Sequence, residues 1–128
     1  MERIWLAIAG LFGVAAIGAD AAARHLLAGD AERLEFAATG ARYALLHAAA
    51  LVGIAALGRA GRRDWAAIWR AAAAWCFVAG LVLFCGSLFL GAAGGPAVVL
   101  RLTPAGGVLF MAGWAALLLH ALSPRRAG

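Results

Sequence analysis

The sequence predicts an all-α integral membrane protein, a four-helix bundle with both termini in the cytoplasm. Three observations lead to this fold class. Hydrophobic residues make up 66% of the 128 residues and charged residues only 13%, whereas soluble domains are roughly 45–50% apolar and about 25% charged. The charges leave four long uncharged stretches, at residues 4–19, 43–58, 71–100 and 102–124. The arginines are concentrated in segments that would share one side of a four-span bundle.

The first half of the chain predicts two spans joined by a short polar connection. Helix 1 is expected over about residues 4–27 and helix 2 over about residues 36–57. Their uncharged stretches are shorter than the about 20 residues that cross a hydrocarbon core of ~30 Å. Full-length spans therefore carry Asp20, Arg24 and Arg42 into the outer leaflet. The start of the chain also fits a cleaved signal peptide, but we interpret it as the first span.

The second half predicts two ordinary spans. Helix 3 is expected over about residues 71–90 and ends at the glycine-rich segment before Pro96, because glycine disfavours a helix and proline cannot continue one. Helix 4 is expected over about residues 103–122, with Thr103 as N-cap and Pro104 at the first helical position. The whole chain, residues 1–128, is predicted to be one transmembrane domain.

The distribution of arginine orients the predicted bundle. One side carries seven arginines and two acids, or seven minus two, +5, and the other carries four arginines and four acids, or zero. Short arginine-rich loops stay in the cytoplasm, so topology accounts for the basic excess and nucleic acid is not predicted as a partner. The charged residues of the cytoplasmic side are Arg3, Arg59, Arg62, Arg63, Arg70, Arg125, Arg126, Glu2 and Asp64.

A polar cluster between helices 1 and 2 is the candidate site. Charges at membrane depth are costly and usually pair or face the bundle interior. Asp20 and Arg24 are four residues apart, which suits an ion pair. Helix 2 carries a polar stripe at the spacing of a single helical face, and we expect this stripe to face protein. The candidate residues are Asp20, Arg24, Thr39, Arg42, Tyr43, His47 and Ser87.

Two interpretations of this cluster stay open. It is either a polar pocket or proton relay, or a set of hydrogen bonds that fixes how the helices pack. The packing interpretation is favoured because no carboxylate partner for His47 is evident near the middle of the membrane. His25, His47 and His120 fall at different depths, so no metal, haem or other cofactor is predicted, and no catalytic residue is assigned.

Glycines recur along the predicted helices. Small residues let helices approach closely in lipid. We interpret these glycines first as packing positions and alternatively as an interface with a partner subunit. They are Gly10, Gly13, Gly18, Gly86, Gly106 and Gly113.

Several short motifs follow one another along nearly the whole chain. They are Arg-Ile-Trp-Leu at 3–6, Thr-Gly-Ala-Arg-Tyr at 39–43, Leu-His-Ala at 46–48, Phe-Cys-Gly-Ser-Leu at 84–88, Leu-Thr-Pro-Ala-Gly-Gly at 102–107, Phe110 and Gly-Trp at 113–114. With these motifs the chain resembles the bacterial family called domain of unknown function 423, which is related to the eukaryotic transmembrane protein 256 family.

The resemblance implies a four-helix, multi-pass protein of the bacterial inner (plasma) membrane and implies no particular activity. Helix 1 departs from the family pattern. Asp20 stands where the family usually has an aromatic residue, and Ala23 stands where it has a histidine. Any role of that histidine is therefore not carried over to this chain.

The leading functional hypothesis is a non-enzymatic accessory or stabilising subunit of a membrane assembly. The short loops, the glycine-bearing helices and the lack of a catalytic motif favour it. The expected partners are the lipid bilayer and either another membrane protein or further copies of this chain. The alternative is a small transporter or proton-conducting module that uses the polar cluster between helices 1 and 2. A membrane enzyme or a haem protein is supported least.

Overall fold

The computed structural model describes residues 1–58 and 65–123. Within these ranges the chain forms four long helices: α1 (Glu2–Leu26), α2 (Ala31–Gly58), α3 (Trp65–Ala92) and α4 (Thr103–Leu122). A 3₁₀ helix, Ala97–Leu102, leads directly into α4. Each of the four spans, the last counted with its 3₁₀ helix, is long and apolar enough to cross a membrane. The predicted all-α membrane fold is confirmed.

Four spans return the chain to the side of the membrane on which it began. Most of the charges that assign this side to the cytoplasm lie outside the described residues, namely Arg59, Arg62, Arg63, Asp64, Arg125 and Arg126. Trp65 and Trp69 lie in the first turns of α3 with their ring centroids 6.5 Å apart. Tryptophan is enriched at the membrane–water interface, where a transmembrane helix begins or ends.

α2 begins at Ala31 rather than near residue 36, because its first turn is capped. The Asp30 carboxylate accepts a hydrogen bond from the Arg33 backbone N–H at 3.0 Å, the interaction that an N-cap side chain supplies. Glu32 adds a negative charge where the helix dipole favours one. The polar segment expected to be a connection therefore belongs largely to α2. α3 also begins earlier than expected, at Trp65.

The connection between α3 and α4 is a glycine turn. Gly94 has a φ of +83°, a left-handed conformation that favours glycine after a helix end. At the start of α4, Leu102 rather than Thr103 is the N-cap residue, and no side chain caps the helix. The expectation of a Thr103 cap is wrong because its hydroxyl pairs with Ser87 instead.

α1 and α2 pack through alanines. On α1 the buried small residues are Ala9, Ala16 and Ala23, and their seven-residue spacing keeps them on one helical face. They share two apolar clusters with alanines of α2: Ala37, Ala41, Ala44, Ala48 and Ala55. Side chains this small let the two helix backbones approach closely in lipid.

Three of the predicted packing glycines, all in α1, have open space beside them. A Cβ added to Gly10, Gly13 or Gly18 would meet nothing within 4 Å, and the same is true of Gly86 in α3. Their prediction as packing positions within the chain is therefore wrong. Gly10 and Gly18 are exposed on other sides of α1 than its buried alanines, whereas Gly13, four residues after Ala9, is half-buried beside the alanine face.

α3 and α4 interlock through glycines that receive phenylalanine side chains. A Cβ on Gly80 of α3 would approach the ring of Phe110 to 2.5 Å. On α4, a Cβ on Gly106 would overlap the backbone of Phe84, and one on Gly113 would overlap the ring of Phe77. Phe84 lies in a π-helical turn, Leu81–Cys85. These glycines let the two helices approach more closely than any other residue would allow.

Two side chains form hydrogen bonds with the backbone at the ends of α3. The Arg33 Nε–H of α2 donates to the carbonyl oxygen of Ala92 at the end of α3, at 2.8 Å. At the opposite end, the His120 ring Nδ1 of α4 lies 2.7 Å from the carbonyl oxygen of Ala66 in α3. Both bonds satisfy carbonyl or side-chain groups that are otherwise costly to place near lipid.

The neighbouring glycines of α4 provide a test of the interlock. Gly106→Ala should lower the free energy of unfolding by about 1–3 kcal/mol, because the added methyl group meets the backbone of Phe84, which cannot rotate away. Gly107→Ala is the matched control, since its Cβ would lie 3.7 Å from the Phe84 ring, in ordinary contact. Reversible unfolding in mixed detergent measures both. Equal stabilities for the two variants would contradict the interlock.

Candidate functional site

Six of the seven polar residues predicted to form one cluster lie in three places. Asp20, Arg24 and Arg42 line a groove between α1 and α2. Tyr43 and His47 line a second groove, between α2 and α4. Ser87 of α3 forms hydrogen bonds in a third place, near the start of α4.

The expected single polar face of α2 is wrong. The helix turns by about 100° per residue, so Arg42 and His47 point to different sides of α2. Arg42 and Leu46 are exposed, Thr39 is half-buried, and His47 is buried. Thr39 donates a hydrogen bond to the Glu35 carboxylate at 2.9 Å, within its own helix. The stripe therefore winds from the lipid-facing side of α2 into the core.

His47 is enclosed by aromatic side chains at the centre of the bundle. Only 1% of its surface is exposed. Its ring stacks on Phe110 of α4 with centroids 3.5 Å apart and meets the edge of Phe77 of α3 at 5.1 Å. The same two phenylalanines occupy the glycine interlock between α3 and α4. His47 thus joins α2 to the other two helices.

Hydrogen bonds define the protonation state of His47. Nε2 lies 3.2 Å from the indole Nε1 of Trp114, and an indole N–H can only donate, so Nε2 is an acceptor. Nδ1 lies 2.8 Å from the Tyr43 carbonyl oxygen, which can only accept, so Nδ1 carries the proton. The imidazole is therefore neutral and both of its nitrogens are used. It has no nitrogen left to bind a proton or a metal without breaking one of these bonds.

Tyr43 lies at the mouth of the groove in front of His47. Its ring is 37% exposed and packs on Phe84 with centroids 4.8 Å apart. Among the described residues its hydroxyl forms no side-chain hydrogen bond. The groove, with a volume of about 380 Å³, is otherwise lined by apolar residues of α3 and α4.

Ser87 and Thr103 form a closed pair between α3 and α4. The Ser87 hydroxyl donates to the Phe84 carbonyl oxygen at 2.9 Å. Its single proton is then used, so the Thr103 hydroxyl, 2.7 Å away, is the donor to Ser87. Ser87 is 2% exposed. The buried Ser87 hydroxyl therefore has two hydrogen-bond partners. Ser87 does not line the charged groove between α1 and α2.

The groove between α1 and α2 holds the charges. The Arg24 guanidinium binds the Asp20 carboxylate through two contacts, Nε to Oδ2 at 2.9 Å and Nη2 to Oδ1 at 3.2 Å. This is the ion pair expected from their spacing. Arg42 lies across the groove, which has a volume of about 530 Å³. Alanines form much of its floor: Ala16, Ala21, Ala38 and Ala41.

The three histidines lie in separate surroundings. His25 is exposed beside the charged groove, His47 is buried among aromatic rings, and His120 is bonded to the backbone of α3. In the part of the chain that the structure describes, no group of three or more His, Cys, Asp or Glu side chains has the geometry to hold a metal ion.

Some contacts of these residues were missed from the sequence. Trp114 is the donor to His47, and Thr103 is the donor to Ser87. Trp114 lies near the middle of α4, as His47 lies near the middle of α2, so matching the depths of polar groups could have suggested the first pair. No sequence signal connects Arg33 with the carbonyl oxygen of Ala92.

The surroundings of His47 predict a structural role that mutation can test. His47→Ala should lower the free energy of unfolding by about 3 kcal/mol, because it removes a stacked ring and leaves the Trp114 N–H without an acceptor. Tyr43→Phe is the control, since it keeps the neighbouring aromatic packing and removes only a hydroxyl. Unfolding in mixed detergent measures both. An unchanged stability of His47→Ala would show that the stack contributes little.

Known proteins place this architecture in a family. The family model described as "Protein of unknown function (DUF423)" matches residues 15–107. The UPF0382 inner membrane protein YgdD of Escherichia coli strain K12 is 32% identical over 99% of this chain and 95% of its own length. The UPF0382 membrane protein of Haemophilus influenzae is 34% identical over 88% of this chain and 86% of its own length. No solved structure matches the chain significantly.

The family match covers residues 15–26 of α1, all of α2 and α3, and the first residues of α4. The relatives are membrane proteins of nearly the same length, and the four spans of this chain fit that location. The chain is a multi-pass inner membrane protein that belongs to the DUF423 family.

Proposed function

We propose that the chain is a non-enzymatic accessory subunit that packs against a transmembrane helix of another inner membrane protein. The docking surface is the outer face of α1. We define this face by Gly10, Val14 and Gly18, which are successive residues at a spacing of four along one side of the helix.

The glycines in open space carry the proposal. Gly10 and Gly18 are exposed, and a Cβ on either would meet nothing within 4 Å. Glycine in a helix interior is about 1 kcal/mol less favourable than alanine, so an outward glycine without a neighbour weakens α1 for no gain within the chain. Against a second helix, the same glycines allow close backbone contact. Val14, 75% exposed, lies between them as an apolar ridge.

The position of α1 in the bundle agrees with a docking role. α1 packs almost entirely against α2, and its membrane-spanning part is the least buried of the four spans. No charged residue interrupts it between Arg3 and Asp20. A partner helix could therefore pack along the exposed side of α1 without displacing the buried core.

The alternative, a transporter that uses the predicted polar cluster, is supported less well. The residues assigned to that pathway fall on different sides of α2, and the ring nitrogens of His47 are both engaged. A proton relay through His47 would have to break the stack that joins α2 to α3 and α4. The central polar side chains are better explained as structural hydrogen bonds.

Photo-crosslinking in native membranes tests the proposal. A photoreactive amino acid at Val14 should give a discrete adduct with another membrane protein, whereas the same probe at Val52 should not. Val52 is the matched control because it is an exposed valine on α2, 48% accessible. The adduct from Val14 should fall by about tenfold when Gly10→Ile is added, since the larger side chain separates the helices.

The control for this second change is Gly53→Ile, because Gly53 is another exposed glycine whose Cβ would meet nothing within 4 Å. It should leave the Val14 adduct intact. An adduct of twice the mass of the chain would identify a second copy as the occupant and overturn the proposed hetero-assembly. Equal yields of the Val14 adduct with and without Gly10→Ile would show that the proposed face of α1 is not the docking surface.

A further inference from the structure

We propose that the groove between α1 and α2 binds an acidic phospholipid, with Arg42 contacting the lipid phosphate. This site does not depend on the subunit role: its ion pair, Asp20 and Arg24, lies about 100° around α1 from Val14, although Ile17 and Ala21 of the groove border the docking face. Three features carry the inference: the unbalanced charge of the groove, the depth of Arg42, and the arrangement of polar and apolar residues along the groove.

The charges of the groove leave one cation without a partner. Asp20 and Arg24 neutralise each other in their two-contact ion pair. Among the described residues, no carboxylate lies within 4.0 Å of the Arg42 guanidinium. Two arginines minus one aspartate leave the groove with a charge of +1. Its electrostatics therefore favour an anion.

The depth of Arg42 puts this cation near the level of lipid phosphates. Arg42 follows the exposed Glu35 by seven residues in the same helix, which is ~10 Å at 1.5 Å per residue. A long arginine side chain at such a depth extends toward the headgroup region. A guanidinium binds phosphate oxygens through paired, charge-assisted hydrogen bonds, and such a contact offsets the cost of a charge facing lipid.

The groove changes from polar to apolar along its length, as a phospholipid does. Arg24 and His25 lie toward the outer end of α1, while Ile17 lies deeper. On α2, Leu45 lies one turn deeper than Arg42. The floor between them is made by Ala16 and other alanines, whose small side chains leave space for an acyl chain. A soluble phosphate would use only the polar end, so this gradient favours a lipid.

The net charge distinguishes between lipid classes. A phosphatidylglycerol headgroup brings one negative charge to a groove of charge +1. A phosphatidylcholine headgroup also carries a phosphate, but its ammonium group would lie close to the two arginines. The positive ammonium group and the positive guanidinium groups would repel each other, and this repulsion is strong in a medium of low dielectric constant. The site should therefore prefer the acidic lipid.

Native mass spectrometry of the full chain in detergent, titrated with phosphatidylglycerol, provides the test. Arg42→Gln should weaken lipid binding by about tenfold, the effect of losing one charge-assisted hydrogen bond. Arg101→Gln is the matched control, since Arg101 is an exposed arginine of the 3₁₀ helix outside the groove. It should bind as the unmodified chain does. Equal binding by Arg42→Gln and the unmodified chain, or equal losses in both variants, would overturn the proposal.

A second variant tests the apolar part of the groove. Ala38→Leu keeps every charge and fills the floor, so it should weaken binding of phosphatidylglycerol while its melting temperature stays close to that of the unmodified chain. Inorganic phosphate in excess should not displace the lipid. Displacement by phosphate together with normal lipid binding by Ala38→Leu would indicate a soluble anion, and equal binding of phosphatidylcholine would overturn the selectivity for acidic lipid.

Discussion

The close contact between α3 and α4 determines how the other helices are placed. Lipid tails are as apolar as the side chains they surround, so helix association depends on van der Waals packing and hydrogen bonds. Glycines remove the side chains that would separate the two backbones, and phenylalanines fill the space. Because Phe110 is seated on Gly80, its ring presents a fixed surface on which His47 stacks at 3.5 Å. The orientation of α2 follows from that stack.

The central polar groups of the protein are consequently committed to structure. A neutral imidazole with a donor on one side and an acceptor on the other satisfies its own hydrogen bonds without water. The Ser87–Thr103 pair does the same at another level of the bundle. The features that are not explained by internal packing lie at the periphery, on α1 and in the groove beside it. Both proposals concern this periphery for that reason.

α1 differs from the other helices in how it is held. It contacts the bundle chiefly through alanines on α2, which give close approach but little interdigitation. One side of α1 then exposes glycines, and another contributes an ion pair to the charged groove.

The sequence by itself determined the class of fold, the number of spans and the Asp20–Arg24 pair, because hydrophobic length and i, i+4 spacing are properties of one helix at a time. Helix starts were less predictable, since the cap at Asp30 converts polar residues into helix. Only the tertiary structure decided which glycines pack, that His47 faces the core while Arg42 faces the groove beside α1, and that Trp114 donates a hydrogen bond to His47. Those features depend on how each helix is rotated against its neighbours, and residue spacing within a single helix does not specify that rotation.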